Sequence, residues 1–120
     1  MMTSPTIQIR VFFDAGAGIC LWAGNEAART KYHDYPIPQS RLPISEGLQS
    51  QIENLIERYD TSIDWDYPPN STPWTEEQCR DFNEATQVMI AQLAEELSRD
   101  HEILNEFTPI TETAEQDAVE

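Results

Sequence analysis

Apolar and polar positions alternate in two short runs near the start of the chain. Ile7, Ile9 and Val11 take turns with Gln8 and Arg10, the period-two signature of a half-buried strand. Asp14-Ala15-Gly16-Ala17-Gly18 supplies turn residues, and Ile19-Cys20-Leu21-Trp22 reads as a second strand. Together they predict a β-hairpin with a slightly long loop. From Ser45 the period changes. Leu48, Ile52, Leu55, Ile56 and Tyr59 recur at helical spacing, with Gln49, Glu53 and Glu57 on the other face. Ser45 as N-cap and Glu46 in the first turn start this helix, which should end near Asp60-Thr61. A second long helix opens at Thr75, where Gln78 completes a capping box and Glu76 and Glu77 suit the helix dipole. Cys79, Phe82, Met89, Leu93 and Leu97, joined by Val88 and Ile90, trace its apolar stripe to about Ser98. Asp81, Glu84, Glu95 and Glu96 fall on its solvent side.

The intervening segments are shorter. Asn25 is placed to cap a short helix through Glu26-Ala27-Ala28-Arg29, and Tyr35-Pro36-Ile37-Pro38 is driven into extended backbone by its prolines. Glu102-Ile103-Leu104-Asn105-Glu106-Phe107 fits a closing strand with imperfect alternation. Thr108–Glu120, with one proline, four acids and no base, fits a disordered acidic tail. The expected fold is therefore a single α+β domain over residues 1–107. Its small antiparallel sheet, the hairpin plus a C-terminal strand, is covered on one face by two long helices. Such a sheet has an open edge that could pair with a partner or with a second copy in a homodimer.

Charge sharpens this picture. The chain has 120 residues and a formal net charge of -15. Residues 1–60 hold seven acids and five bases, a net of −2, and residues 61–120 hold fifteen acids and two bases, a net of −13. That field repels nucleic acid and anionic lipid and hastens encounter with basic proteins. No run approaches the roughly 18 apolar residues of a membrane span. Met1-Met2-Thr3-Ser4-Pro5 lacks the marks of a signal peptide, so a cytoplasmic location is expected. Cys20 and Cys79 both sit in apolar surroundings and are expected to be buried free thiols.

Candidates for catalysis are weak. Gly16-x-Gly18 matches neither a dinucleotide fingerprint nor a P-loop and reads as a turn. His33 could serve a Cys20 nucleophile only if Cys20 were exposed, against its apolar neighbours. No catalytic residue and no cofactor is assigned. Asp60, Asp64 and Asp66 could offer oxygens to Ca²⁺ or Mg²⁺, but they lack the EF-hand's alternation, its glycine and its closing glutamate. No metal ligand is assigned either.

The stretch from Asp60 to Trp74 holds three prolines, two tryptophans and a tyrosine, and is longer than compact domains usually tolerate without a purpose. Trp65, Tyr67 and Trp74 either plug a groove between helices and hairpin or act as interface anchors, a role in which tryptophan and tyrosine are enriched. Both can hold at once, with Trp65 and Trp74 packed and Tyr67 exposed. The candidate partner-binding residues are Asp64, Trp65, Asp66, Tyr67, Asp81 and Glu84.

This segment, with Asp64-Trp65-Asp66-Tyr67-Pro68-Pro69 and Pro73-Trp74, together with Val11-Phe12-Phe13-Asp14 and Cys20-Leu21-Trp22, resembles small uncharacterised bacterial proteins over most of residues 7–107. That resemblance implies no particular activity. In size and acidity the chain is also similar to bacterial immunity proteins, which neutralise a cognate, often basic, toxin by binding it. This second likeness is carried by no motif and assigns no site residue. The expected function is an acidic protein-binding module, not an enzyme, of immunity or antitoxin type with a basic protein partner. The alternative is a small metal-dependent enzyme or regulator using Asp60, Asp64 and Asp66.

Overall fold

The computed structural model describes residues 6–14, 16–67, 72–97 and 99–111. Three strands and three helices follow in the order β1 (Ile7–Val11), β2 (Leu21–Ala23), α1 (Glu26–Tyr32), α2 (Glu46–Asp60), α3 (Glu76–Glu96) and β3 (His101–Asn105), with a 3₁₀ turn at Gln39–Arg41. The class is α+β, as expected.

The hairpin forms as its alternation predicts. β1 pairs antiparallel with β2, Ile9 opposite Ala23 and Val11 opposite Leu21. The third strand departs from expectation. β3 lies on the other side of β1 and runs parallel to it, Ile7 opposite His101 and Val11 opposite Asn105, so the sheet is mixed rather than antiparallel. Side-chain alternation is the same in either direction, so it carried no information on this point. Direction comes instead from α3: a short turn, with Asp100 at φ 64°, sends the chain back from the end of that helix along β1.

Prolines close one edge of the sheet. Tyr35, Pro36 and Ile37 run beside β2, with Ala23 N–H donating to Tyr35 O at 2.7 Å and Ile37 N–H to Leu21 O at 2.8 Å. Pro36 stands opposite Trp22 between these two bonds, so its missing N–H costs the ladder nothing. Among the described residues, no strand lies beyond β3.

The helix starts follow their capping signals. Asn25 accepts from Ala28 N–H at 3.0 Å, accepts from Gln8 N–H at 3.2 Å and donates to Thr6 O at 2.8 Å, so it caps α1 and ties it to β1. Ser45 accepts from Leu48 N–H. Thr75 and Gln78 form the full capping box at α3. His101 Nδ1 lies 2.9 Å from the Arg99 carbonyl, which can only accept, so this nitrogen carries the proton. Its Nε2 then accepts from the Tyr32 hydroxyl at 2.8 Å and fastens α1 to β3.

Ile9, Val11 and Leu21 from the sheet, Leu48, Ile52 and Leu55 from α2, and Phe82, Met89 and Leu93 from α3 form one buried core. Cys20 and Cys79 are buried free thiols, and burial pushes the Cys20 thiol up to about 12. Val88, expected in the α3 stripe, is instead 59% exposed. Glu96, expected in solvent, turns toward α2, where its carboxylate accepts from the Ser45 N–H at 2.7 Å and hydroxyl at 3.0 Å. Past β3 the chain stays docked as far as Ile110, whose N–H and C=O are both held by the Asn83 side chain. The rest of the expected tail, residues 112–120, lies outside the described residues. Among the described residues, no helix is long and apolar enough to cross a membrane.

Candidate functional site

The end of α2 builds a small rigid platform. Thr61 and Ser62 hydroxyls donate to the carbonyls of Arg58 and Tyr59 at 2.7 and 2.6 Å, alongside the backbone N–H groups of the same two residues, which donate to the same carbonyls at 3.0 and 2.9 Å. Two residues on, Asp64 closes a turn: its Oδ1 accepts from Asp66 N–H at 3.1 Å and its carbonyl from Tyr67 N–H at 3.0 Å. This turn throws the two aromatic side chains outward, leaving Trp65 54% and Tyr67 59% exposed.

Trp65 is exposed but not loose. Its indole N–H donates to Asp60 O at 2.8 Å, and its ring lies against Gly16, where an added Cβ would come within 3.5 Å of the ring edge. Gly16 sits at φ +77°, a conformation that favours glycine. Its N–H donates to Asp60 Oδ1 at 3.2 Å. The hairpin loop and the aromatic loop thus meet at Asp60. Trp74 does the opposite work: it is buried, edge-on to Phe82 at 5.2 Å, and its indole N–H donates to Thr61 Oγ1 at 3.1 Å. Of the two tryptophans expected to pack, only Trp74 does so.

Asp64, Trp65, Asp66 and Tyr67 are therefore brought together on one turn. Asp81 and Glu84 stand apart from them on α3, both exposed. At 100° per residue they share a face with Glu77, Val88, Ala91 and Glu95, all of them exposed. Val88 is the apolar centre of that acidic face. Sequence reasoning missed it because a valine between Gln87 and Met89 fits a stripe almost as well as it fits solvent. Glu84 also borders an open groove of about 410 Å³ between α3 and the docked segment at Ile110.

Among the described residues, no group of three or more His, Cys, Asp or Glu side chains is placed to hold a metal ion. Asp60 and Asp64 instead serve backbone amides, which fix the loops. His33 ends α1 in the left-handed region at φ 68° and is exposed, whereas Cys20 is buried, so the two form no nucleophile pair.

An acidic α+β chain that turns aromatic rings and carboxylates outward fits the class of immunity proteins, which work through a surface presented to another protein. A family model described as Serratia CdiI immunity protein-like matches residues 7–106, and the chain belongs to that family. No curated protein matches it.

Proposed function

We propose that the chain neutralises a toxin by binding it, in the cytoplasm, through a basic surface of that toxin. The observation that carries this reading is the Asp64–Tyr67 turn, which holds two aromatic side chains in water, each next in sequence to a carboxylate. Exposed tryptophan and tyrosine are costly in solvent and are the residue types that anchor interfaces. Asp64 and Asp66 supply charge for approach and register. Asp81 and Glu84 extend the same field along α3. Its action is stoichiometric masking rather than catalysis. Self-association through the outer edge of β3 is opposed by the net charge of -15 on each copy.

The test pairs the full chain with the product of its neighbouring gene, which on this reading is the toxin domain. Reversing both charges, Asp64→Lys with Asp66→Lys, should slow association about ten-fold at low salt. The loss should shrink as the screening length falls to about 8 Å at physiological ionic strength. Stopped-flow binding measures both. Absence of binding by the unaltered chain would end this reading.

A further inference from the structure

At the carboxyl ends of the parallel strands, where β1 passes into Phe12 and Phe13 and β3 into Glu106 and Phe107, the chain encloses a cleft of about 320 Å³. Arg10 and Tyr59 complete its wall. The lining is largely aromatic. Phe13 stacks on Tyr59 with ring centres 4.9 Å apart and meets Phe107 edge-on at 5.8 Å, while Phe13 and Tyr59 keep part of their surface open to solvent.

The charged groups of the cleft are not equivalent. Arg10 is engaged at all three nitrogens: Nε and Nη2 meet Glu106 Oε1 at 2.9 and 2.8 Å, Nη1 donates to the Tyr35 hydroxyl at 2.8 Å, and the guanidinium lies 4.9 Å above the Phe12 ring. Both contacts to Glu106 land on Oε1, so Oε2 remains an acceptor for a further donor. Across the cleft Tyr59 feels two more carboxylates. Burial raises its pKa first, and the charges of Asp14 and Asp60 raise it further. With Arg10 neutralised by Glu106, the carboxylates of Asp14 and Asp60 outnumber the one further cation, Arg58, whose guanidinium lies 5.5 Å over the Phe82 ring, and the balance is negative.

We infer that this cleft receives one anchor of the toxin, an aromatic or long apolar side chain flanked by a lysine or arginine. The ring or chain covers Phe13 and Tyr59, and the cation bonds Glu106 Oε2. This rests on the immunity reading and places the partner's deepest contact within it. The volume lies at the small end of ligand pockets, about 300–1,000 Å³, and suits a single side chain better than a metabolite. Charge complementarity selects the occupant: a second copy, at net charge -15, is repelled, whereas a basic toxin is drawn in. The cleft is also linked to the aromatic loop: Asp60 follows the lining residue Tyr59 in the chain, and its carbonyl accepts the Trp65 indole N–H. One partner can therefore cover both.

Thr108, exposed at the rim, gives access to a test that spares the core. Full-length chains carrying Thr108→Trp, which plugs the cleft, or Glu106→Gln, which keeps its shape, are titrated calorimetrically with the toxin domain of the neighbouring gene. Thr30→Trp on exposed α1 serves as the control. Binding should weaken about thirty-fold for T108W and about ten-fold for E106Q, with T30W unchanged and melting temperatures held. Hydrogen exchange on the unaltered complex, which needs no variant, should show new protection at residues 12–14 and 106–108. If the unaltered chain binds but T108W and E106Q bind as tightly and those segments stay unprotected, the cleft assignment is wrong and the immunity reading stands. If the unaltered chain does not bind, both fall.

Discussion

Trp65 and Trp74 begin with the same chemistry in the same loop and end with opposite surroundings. Trp74 immediately precedes the capping box of α3 and is swung onto Phe82; Trp65 sits on the Asp64 turn and is held outward by one hydrogen bond to Asp60. Neighbouring acids on α3 repeat the contrast. Glu96 clamps Ser45 at the start of α2, whereas Glu95 stays in solvent. Residue type does not assign a side chain to core or interface; what lies within reach of it does.

The contrast can be broken most sharply at the tryptophans. Trp74→Ala should cost about 3–5 kcal/mol of stability, because it leaves a cavity against Phe82, and urea unfolding measures it. Trp65→Ala should cost less than about 1 kcal/mol of stability, as an exposed substitution does, yet should weaken toxin binding by about 2 kcal/mol. If the two unfolded alike, the division between packed and presented rings would be lost.

Thr86 sharpens the same comparison from the buried side. It is fully buried on α3, and its hydroxyl has no hydrogen-bond partner among the described residues. Thr86→Val keeps the shape and removes the unmet polar atom, so it should raise stability by about 1 kcal/mol, read from the denaturant midpoint.

Glu96 gives the smallest effect and a signed one. Hydrogen bonds from Gln92 and from the Ser45 N–H and hydroxyl hold its carboxyl below the usual range. A depressed folded value means the charged form is favoured in the native state. Its contribution is therefore present above the carboxylate range and fades as pH falls through the folded value. The gap in melting temperature between the native chain and Glu96→Gln should be widest near neutrality and close in acid.

Local signals made much of the fold legible. Ser45, Thr75 with Gln78, and Asn25 each marked a helix start, because a cap acts on backbone groups two or three residues away. The hairpin followed from Ile7, Ile9 and Val11 against Leu21. Of the site, the Asp64–Tyr67 turn was legible as an unusual aromatic and acidic loop. The cleft was not. Arg10 with Phe13, Tyr59, and Glu106 come from three separate stretches, and none carries a motif.

The sequence by itself determined the element types, the caps and the one-sided distribution of charge, since these depend on residues within a turn or two of each other. Tertiary structure alone decided that β3 runs parallel to β1, that Val88 faces water, that Glu96 serves α2 and that Trp65 stays outside. Each of those outcomes depends on which distant group arrives next to a side chain, and periodicity along one element contains no record of the neighbour across from it.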